Sequence, residues 1–370
     1  SFNETRNPQQ VHVTLDSFLS LKVVARTVKD FLRVRGISQK YFSKIQIYES
    51  QSSESIDRTL WPIFKKDWER SFYGLSAIQN LLNLNLFEKA FKDLPKQPQG
   101  LYLQENQSWE FGMIYAWRVN GHGRLIGFPH ATVRFWDLRY FFDQRSYCKN
   151  QVALPIPDFV AVSGDALKNA YLEGGYPAED LVEVEALRYL HLDIKDNKQL
   201  APQSLYQKKP KVIILGDYLA SNTFLQMKLL REIAGDLSAI ELSLKPHPAC
   251  PIDVSDYPEL KLQLCEQPLS DLLGCFDIAY TSSVTSAAVD AYCAGLKVIS
   301  VLDPTILNLS PLRGVAGVRF VSSAEMLRDS LLEVHAQSGN LQERIDYFNV
   351  DSSLPRWKAL LTEKTCVRKV

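Results

Sequence analysis

The chain has 370 residues, with 42 Lys plus Arg balanced by 42 Asp plus Glu, so the formal net charge is zero; 46% of residues are hydrophobic and 23% charged. These proportions exclude an intrinsically disordered chain and a collagen-like one. The length exceeds one typical core and suits two domains, and the neutral balance argues against a dedicated nucleic-acid binder.

Six cysteines (Cys148, Cys250, Cys265, Cys275, Cys293 and Cys366) form no CxxC pair and no zinc-type spacing with His. They are read as reduced thiols in a cytoplasmic protein. No run of about 18 apolar residues suggests a membrane-spanning helix, and no signal-peptide pattern is present. The chain opens on Ser1 rather than Met, so it is read as part of a longer polypeptide.

The first stretch, 11–95, reads mostly helical. Leu15-Asp16-Ser17 is expected to start a helix carrying Phe18, Leu19, Leu21, Val24 and Val28. Phe64, Trp68, Phe72, Leu75, Ile78 and Leu82 recur at helical spacing. Lys44-Ile45-Gln46-Ile47-Tyr48 predicts a short strand. From Gly100 the period changes. Strands are predicted at 100–104, 124–127, 159–162 and 181–184, with Ser108 capping a helix through Trp117 and a helix over 165–173. This alternation predicts parallel βαβ units. The polar, proline-containing stretch 192–210 reads as a domain linker. Beyond it the alternation repeats: strands at 211–215, 241–244, 260–264, 277–280 and 297–301, separated by helices. The fold class is therefore α/β, with two Rossmann-like domains facing a cleft and a helix-rich N-terminal portion. The expected domains are 1–195, which binds an acceptor, and 210–345, which binds a nucleotide-sugar. A terminal helix in 346–370 is expected to pack back on the first domain.

Two turns of the second domain carry chemistry. Thr281-Ser282-Ser283-Val284-Thr285-Ser286 follows one strand and opens a helix, offering hydroxyls and N–H groups to a phosphate. Lys245-Pro246-His247-Pro248 follows a neighbouring strand. Its prolines stiffen the turn, and Lys245 and His247 can contact a phosphate. Three further positions follow strands. Glu105 could take a proton from an acceptor hydroxyl or steady an oxocarbenium ion. His130 is a second catalytic candidate in the first domain. Asp217 could act as a nucleophile or as a hydrogen-bond acceptor. No Asp-x-Asp metal motif sits at a strand end, so no metal and no cofactor are expected. His12, His122, His191 and His335 are assigned to surface or packing.

The stretch SGDALKNAYLEGGYPAEDLVEVEAL resembles the end of the N-terminal domain of GT-B glycosyltransferases. PLSDLLGCFDIAYTSSVTSAAVDAYCAGLKVISV resembles their donor-nucleotide half, with Asp290 where many members place the Glu that binds the donor ribose. A His-Pro motif combined with a Ser-rich turn is similar to sialyltransferases and Kdo transferases that use CMP-activated sugars. YLQENQSWE, GFPHATVRFWDLRYF and FNVDSSLPRWKALL look like a surface-carbohydrate biosynthesis family of bacteria related to retaining β-Kdo transferases. The resemblance covers roughly residues 70–365. It implies CMP held by Lys245, His247, Pro248, Ser282, Ser283 and Ser286. An ulosonic donor would also bring a carboxylate; Arg134, Arg139 and Lys245 are its candidate partners, Arg134 first.

The expected function is transfer of Kdo or a nonulosonate from its CMP donor to a glycan or lipid-linked glycan of the bacterial surface, such as lipopolysaccharide, capsule or O-antigen. It would work without a metal, and the resemblance to retaining β-Kdo transferases makes retention one of two open stereochemical outcomes. Peripheral association with the inner face of the membrane is expected with it. The rivals are a UDP- or GDP-sugar transferase of the same fold, a sugar-nucleotide epimerase, and an inactive glycan-binding module.

Overall fold

The structure is a computed structural model that describes residues 11–51, 57–134, 137–147, 154–193, 209–336 and 347–362. The protein is α/β and divides into two compact units. One runs to Gly127 and takes up a further stretch ending at Phe159; the other runs from Phe128 to Tyr147 and onward from Val160. Most of the expected linker, 194–208, lies outside the described residues.

The first unit opens with α1 (Leu21–Gln51), α2 (Asp57–Tyr73) and α3 (Leu75–Asp93). Val23, Thr27 and Ser38 of α1 are buried. The buried Asn85 of α3 donates to Thr27 Oγ1 at 3.2 Å and to Asp30 Oδ2 at 3.1 Å, which fixes the pairing of the two helices. The strand expected at 44–48 is instead helical and belongs to α1. Ile45 and Ile47 read as alternation, but Tyr41, Ile45 and Tyr48 satisfy the i, i+4, i+7 helical spacing equally well. β1 (Gln99–Leu103) neighbours β2 (Arg124–Phe128), and α4 (Ser108–Val119) connects them. Met113, Ile114 and Trp117 of α4 pack on Leu125. The cap of α4 is Gln107; Ser108 is the first helical residue, and its hydroxyl bonds Asn80 at 2.9 Å.

The second unit holds β3 (Phe159–Val162), α5 (Asp165–Glu173) and β4 (Leu181–Glu183), with β3 and β4 parallel. Its larger part is a six-stranded sheet. The elements in chain order are β5 (Lys211–Leu215), α6 (Ala220–Glu232), β6 (Glu241–Lys245), β7 (Gln263–Leu264), α7 (Leu269–Leu272), β8 (Ile278–Ser282), α8 (Ala287–Cys293), β9 (Lys297–Val301), β10 (Val318–Val321) and α9 (Ala324–Ala336). The spatial order is β10-β9-β8-β5-β6-β7, and every pair is parallel. Numbered within the sheet, this is the doubly wound order 3-2-1-4-5-6 read from the β7 edge. Both faces are covered, which explains the unbroken apolar run of β5. Val212 and Ile214 join a cluster with Leu230 and Leu327, while Ile213 and Leu215 join Ala288 and Tyr292 on the other face.

The chain then returns to β3 and β4. Ala186 N–H donates to Asn349 O and Asn349 N–H to Ser163 O, both at 2.8 Å. This approach requires Gly164, where a Cβ would run into the Tyr347 carbonyl. The last described helix, α10 (Pro355–Thr362), is held at its start by Glu185. That fully buried carboxylate accepts the N–H groups of Arg356 at 3.0 Å and Trp357 at 3.1 Å, as suits an anion at a helix N-terminus. The Trp357 indole N–H donates to Glu185 O at 2.8 Å, and its ring meets Phe128 edge-on at 5.0 Å. Trp357→Ala should therefore destabilise the protein by about 3–5 kcal/mol, the range for truncating a buried aromatic. Urea unfolding followed by circular dichroism measures this. A loss near zero would mean that α10 is not part of the cooperative core.

Candidate functional site

In a doubly wound sheet, ligands bind beyond the carboxyl ends of the strands, where the winding reverses. Here that point lies between β5 and β8, the neighbours from which the chain proceeds to opposite edges. β5 leads into Gly216-Asp217, and β8 closes on Ser282 and leads into Ser283. The two ends are tied together: the Ser282 hydroxyl donates to Asp217 Oδ2. Asp217 Oδ2 also accepts from the Asn222 amide at 3.1 Å, and Oδ1 accepts the Leu219 N–H at 2.9 Å. Asp217 N–H donates to Thr223 Oγ1 at 3.0 Å. These are the groups of the turn into α6, so one carboxylate shapes that turn and fastens it to β8.

This geometry bears on two expected site residues. Asp217 has no exposed surface, and both its oxygens are engaged. It ties the turn together and is not presented as a nucleophile. Ser282 and Ser283 are also buried, and the Ser282 proton is committed to Asp217. Behind them, Gln226 of α6 donates to Leu215 O at 3.1 Å, and Ser300 of β9 donates to Ser282 O at 3.1 Å. A narrow recess lined by Asn222, Leu225, Ser282, Ser283, Val301 and Asp303 opens here, with room for about one water molecule.

The turn after β6 adjoins the end of β5: Gly216 N–H donates to Lys245 O at 3.0 Å. Within this turn the Ala249 N–H donates to His247 Nδ1 at 3.1 Å. A neutral ring that accepts at Nδ1 carries its proton on Nε2, so His247 is set as a donor through that atom. Its ring lies 6.2 Å from that of Tyr218. Lys245 Nζ donates to Glu266 O at 2.9 Å. Pro248 is exposed and Ser286 half-buried at the start of α8.

Arg134 reaches the Ser/Thr turn after β8, donating to Val284 O at 2.8 Å. Arg139 instead makes a two-pronged pair with Asp137 at 2.8 and 2.7 Å. Burial works to raise the Asp137 carboxyl, but Arg139 outweighs it and holds the group below its ordinary value. Within the second unit the structure thus gathers Arg134, Lys245, His247, Ser282 and Ser283 around β5, β6 and β8. His130, also in this unit, is half-buried just past β2.

Glu105 belongs to the first unit. Its loop is held by Glu110, a nearly fully buried carboxylate that sequence reading passed over. Glu110 accepts the N–H groups of Glu105 at 3.1 Å, Asn106 at 3.0 Å and Gln107 at 3.1 Å. Burial raises its carboxyl above the ordinary value, against those three bonds. The half-buried Glu105 is therefore presented from a loop whose backbone is fixed. The E-x-x-x-x-E spacing ahead of α4 was the available signal, since an acid in a first turn serves free N–H groups.

A second and larger opening, about 350 Å³, is lined by His191, Leu269, Ser270 and Asp290. Asp290 Oδ1 lies 3.7 Å from His191 Nε2 and is buried without a hydrogen bond. Burial raises the Asp290 carboxyl, offset in part by His191 and Arg188.

No family model and no curated protein matches the chain. Among solved structures, a UDP-N-acetylglucosamine 2-epimerase from Neisseria meningitidis bound to UDP-GlcNAc is similar at 11% identity and a TM-score of 0.44, over 70% of this chain and 73% of that one. A glycosyltransferase from Rickettsia africae gives 12% identity, a TM-score of 0.40 and coverages of 70% and 71%. HepE of Anabaena, in complex with UDP and glucose, gives 11%, 0.39, 68% and 71%. At these scores the functional reading is left to the residues themselves.

Two predictions follow from this geometry. Ser282→Ala removes a buried bond to a carboxylate and should cost about 1.5–3 kcal/mol in urea unfolding. Combined with Asp217→Ala, the losses should be clearly non-additive; strict additivity would remove the tie between the strand ends. Asp290 gives a pH signature. Its carboxyl is raised in the folded state, so stability should fall as pH rises from about 3.9, the unfolded value, through the folded one. Asp290→Asn should melt higher than the parent protein at pH 7 and equally at pH 3. A variant that melts lower at pH 7 would show that His191 and Arg188 outweigh burial.

Proposed function

We propose that the protein is a GT-B-type glycosyltransferase that takes its sugar from a nucleotide donor bound at the carboxyl ends of β5, β6 and β8. The observation that carries this reading is the placement of the His-Pro and Ser/Thr turns on either side of the winding reversal, with Arg134 joined to the second turn. Sequence motifs that lie 34 positions apart, from His247 to Thr281, thereby share the carboxyl end of the sheet.

The donor in this proposal is a CMP-activated ulosonic sugar. The acceptor hydroxyl oxygen bonds to the anomeric carbon while the bond from that carbon to the phosphate oxygen breaks. His247 donates through Nε2–H to the departing phosphate, which leaves as CMP. Lys245, one of whose N–H bonds goes to Glu266 O, adds positive charge. Arg134 carries five N–H donors, one of them on Val284 O, and supplies a partner for the sugar carboxylate. The acceptor hydroxyl proton goes to a base, for which His130 is the candidate within the second unit. Asp217 and Ser282 support the site from behind. No metal enters this scheme: a single leaving phosphate can be met by His247 and Lys245. The acceptor is a surface glycan or its lipid-linked precursor.

Thermal unfolding with CMP, UDP and GDP tests the donor. At about 100 times the dissociation constant, CMP should stabilise the protein by about 2.7 kcal/mol. His247→Ala should weaken CMP at least tenfold while leaving the melting point of the free protein unchanged. Stabilisation by UDP alone would make the donor a UDP-sugar. Stabilisation by none would leave a module that binds glycan without transferring it.

A further inference from the structure

The exposed side of α1 is divided into two sectors. At about 3.6 residues per turn, Leu21, Val24, Val28 and Leu32 fall along one line of the helix. Their exposures are 90%, 43%, 53% and 61%, so α3, which covers Val23 and Thr27, leaves this line open. Lys22, Lys29, Arg33 and Lys40 form a second line beside it, all exposed. Between Leu21 and Lys44 there are seven Lys or Arg residues and one acid, Asp30. That acid is turned inward, toward Asn85 and Arg26. Of the basic groups, Arg26 is paired at 2.5 Å with Glu88. Just before the helix, Val11, Val13 and Leu19 add exposed apolar surface at 90%, 50% and 54%.

We propose that α1 is a membrane-docking helix, lying along an anionic lipid surface with Leu21, Val24, Val28 and Leu32 in the acyl boundary and the Lys/Arg line against the headgroups. The choice of occupant rests on charge. A second copy of the same helix would bring a row of cations against a row of cations, whereas an anionic bilayer complements it. An apolar stripe beside a basic one is also the composition of interfacial helices. Among the described residues no helix is long and apolar enough to cross a bilayer, so the contact is with its surface. This inference does not depend on the donor or on the reaction proposed above.

The test is co-sedimentation of the full chain with extruded vesicles. Binding is expected to 1:1 phosphatidylglycerol:phosphatidylcholine vesicles and to be at least tenfold weaker with phosphatidylcholine alone. Raising NaCl from 0.1 to about 0.5 M should weaken it further, because the charges lie at the surface. Two variants separate the contributions. Leu21→Ser with Val28→Ser and Leu32→Ser removes the apolar line. Lys22→Glu with Lys29→Glu and Arg33→Glu reverses the basic one at exposed positions, where folding is least at risk. Each should lower vesicle binding at least tenfold with circular dichroism unchanged. The proposal is overturned if the wild-type chain binds neither vesicle, or if the charge-reversed variant binds as the wild type does. It is equally overturned if sedimentation equilibrium shows a dimer that the Ser variant dissolves, since the stripe would then belong to a second copy.

Discussion

The bond between Ser282 and Asp217 is the constraint on which the candidate site depends. It joins the end of β8 to the turn after β5, the two strands between which the winding of the sheet reverses. A parallel sheet supplies hydrogen bonds along its strands but none beyond their ends, where turns must find their own. Here one buried carboxylate receives a backbone N–H, a side-chain amide and a hydroxyl. Gln226 and Ser300 extend the polar layer to Leu215 and to the other side of Ser282. Buried polar groups are costly unless they are satisfied, so the bonds that meet Asp217 favour one arrangement of the strand ends. The His-Pro turn is attached to it through Gly216 N–H. The positions of His247 and the Ser/Thr turn are thus consequences of the same carboxylate.

The alternation of strands and helices over 211–301 was legible because its central strands β5, β8 and β9 are short, mostly apolar runs bounded by turn residues. β10 was not, since Val318-Arg319-Phe320-Val321 carries a charge and follows a stretch with no helix. The segment 44–48 was misread because a window of five residues fits both periods. For the site, the turns themselves were legible from residue type. What a sequence could not show is which side chains face one another. Asp217 and Ser282 are 65 positions apart, and an Asp that follows a strand looks the same whether it meets a ligand or a neighbouring turn. Glu110 and Glu185 were missed for the same reason. Each is a buried acid whose partners are mainly backbone N–H groups, and backbone donors leave no mark on composition.

The two carboxylates Asp217 and Asp290 show how environment divides identical side chains. Asp217 is without exposed surface yet has donors on both oxygens. Asp290 is partly open to a sizeable cavity and has one oxygen without a donor. The first is a structural tie whose energy is already realised in the folded chain. The second keeps an unmet acceptor, with burial pressing against its charge and only His191 and Arg188 in opposition. A ligand hydroxyl placed there would supply what the fold leaves out, and binding energy is gained most readily where the unbound protein is unsatisfied.

A formal charge of zero says nothing about how charge is distributed. Between Leu21 and Lys44 seven basic residues and one acidic residue give a local charge of +6, so the rest of the chain must sum to −6. At physiological salt, fields decay over about 8 Å, so an approaching surface meets the helix and not the total. Overall neutrality therefore leaves untouched a single helix proposed to meet an anionic plane. Neither feature of α1 would suffice alone. Scattered exposed apolar residues are ordinary on protein surfaces, and exposed lysines more so. Their segregation into adjacent lines along one helix is what the membrane proposal rests on, because a layered partner, apolar within and anionic at its face, meets both lines at once.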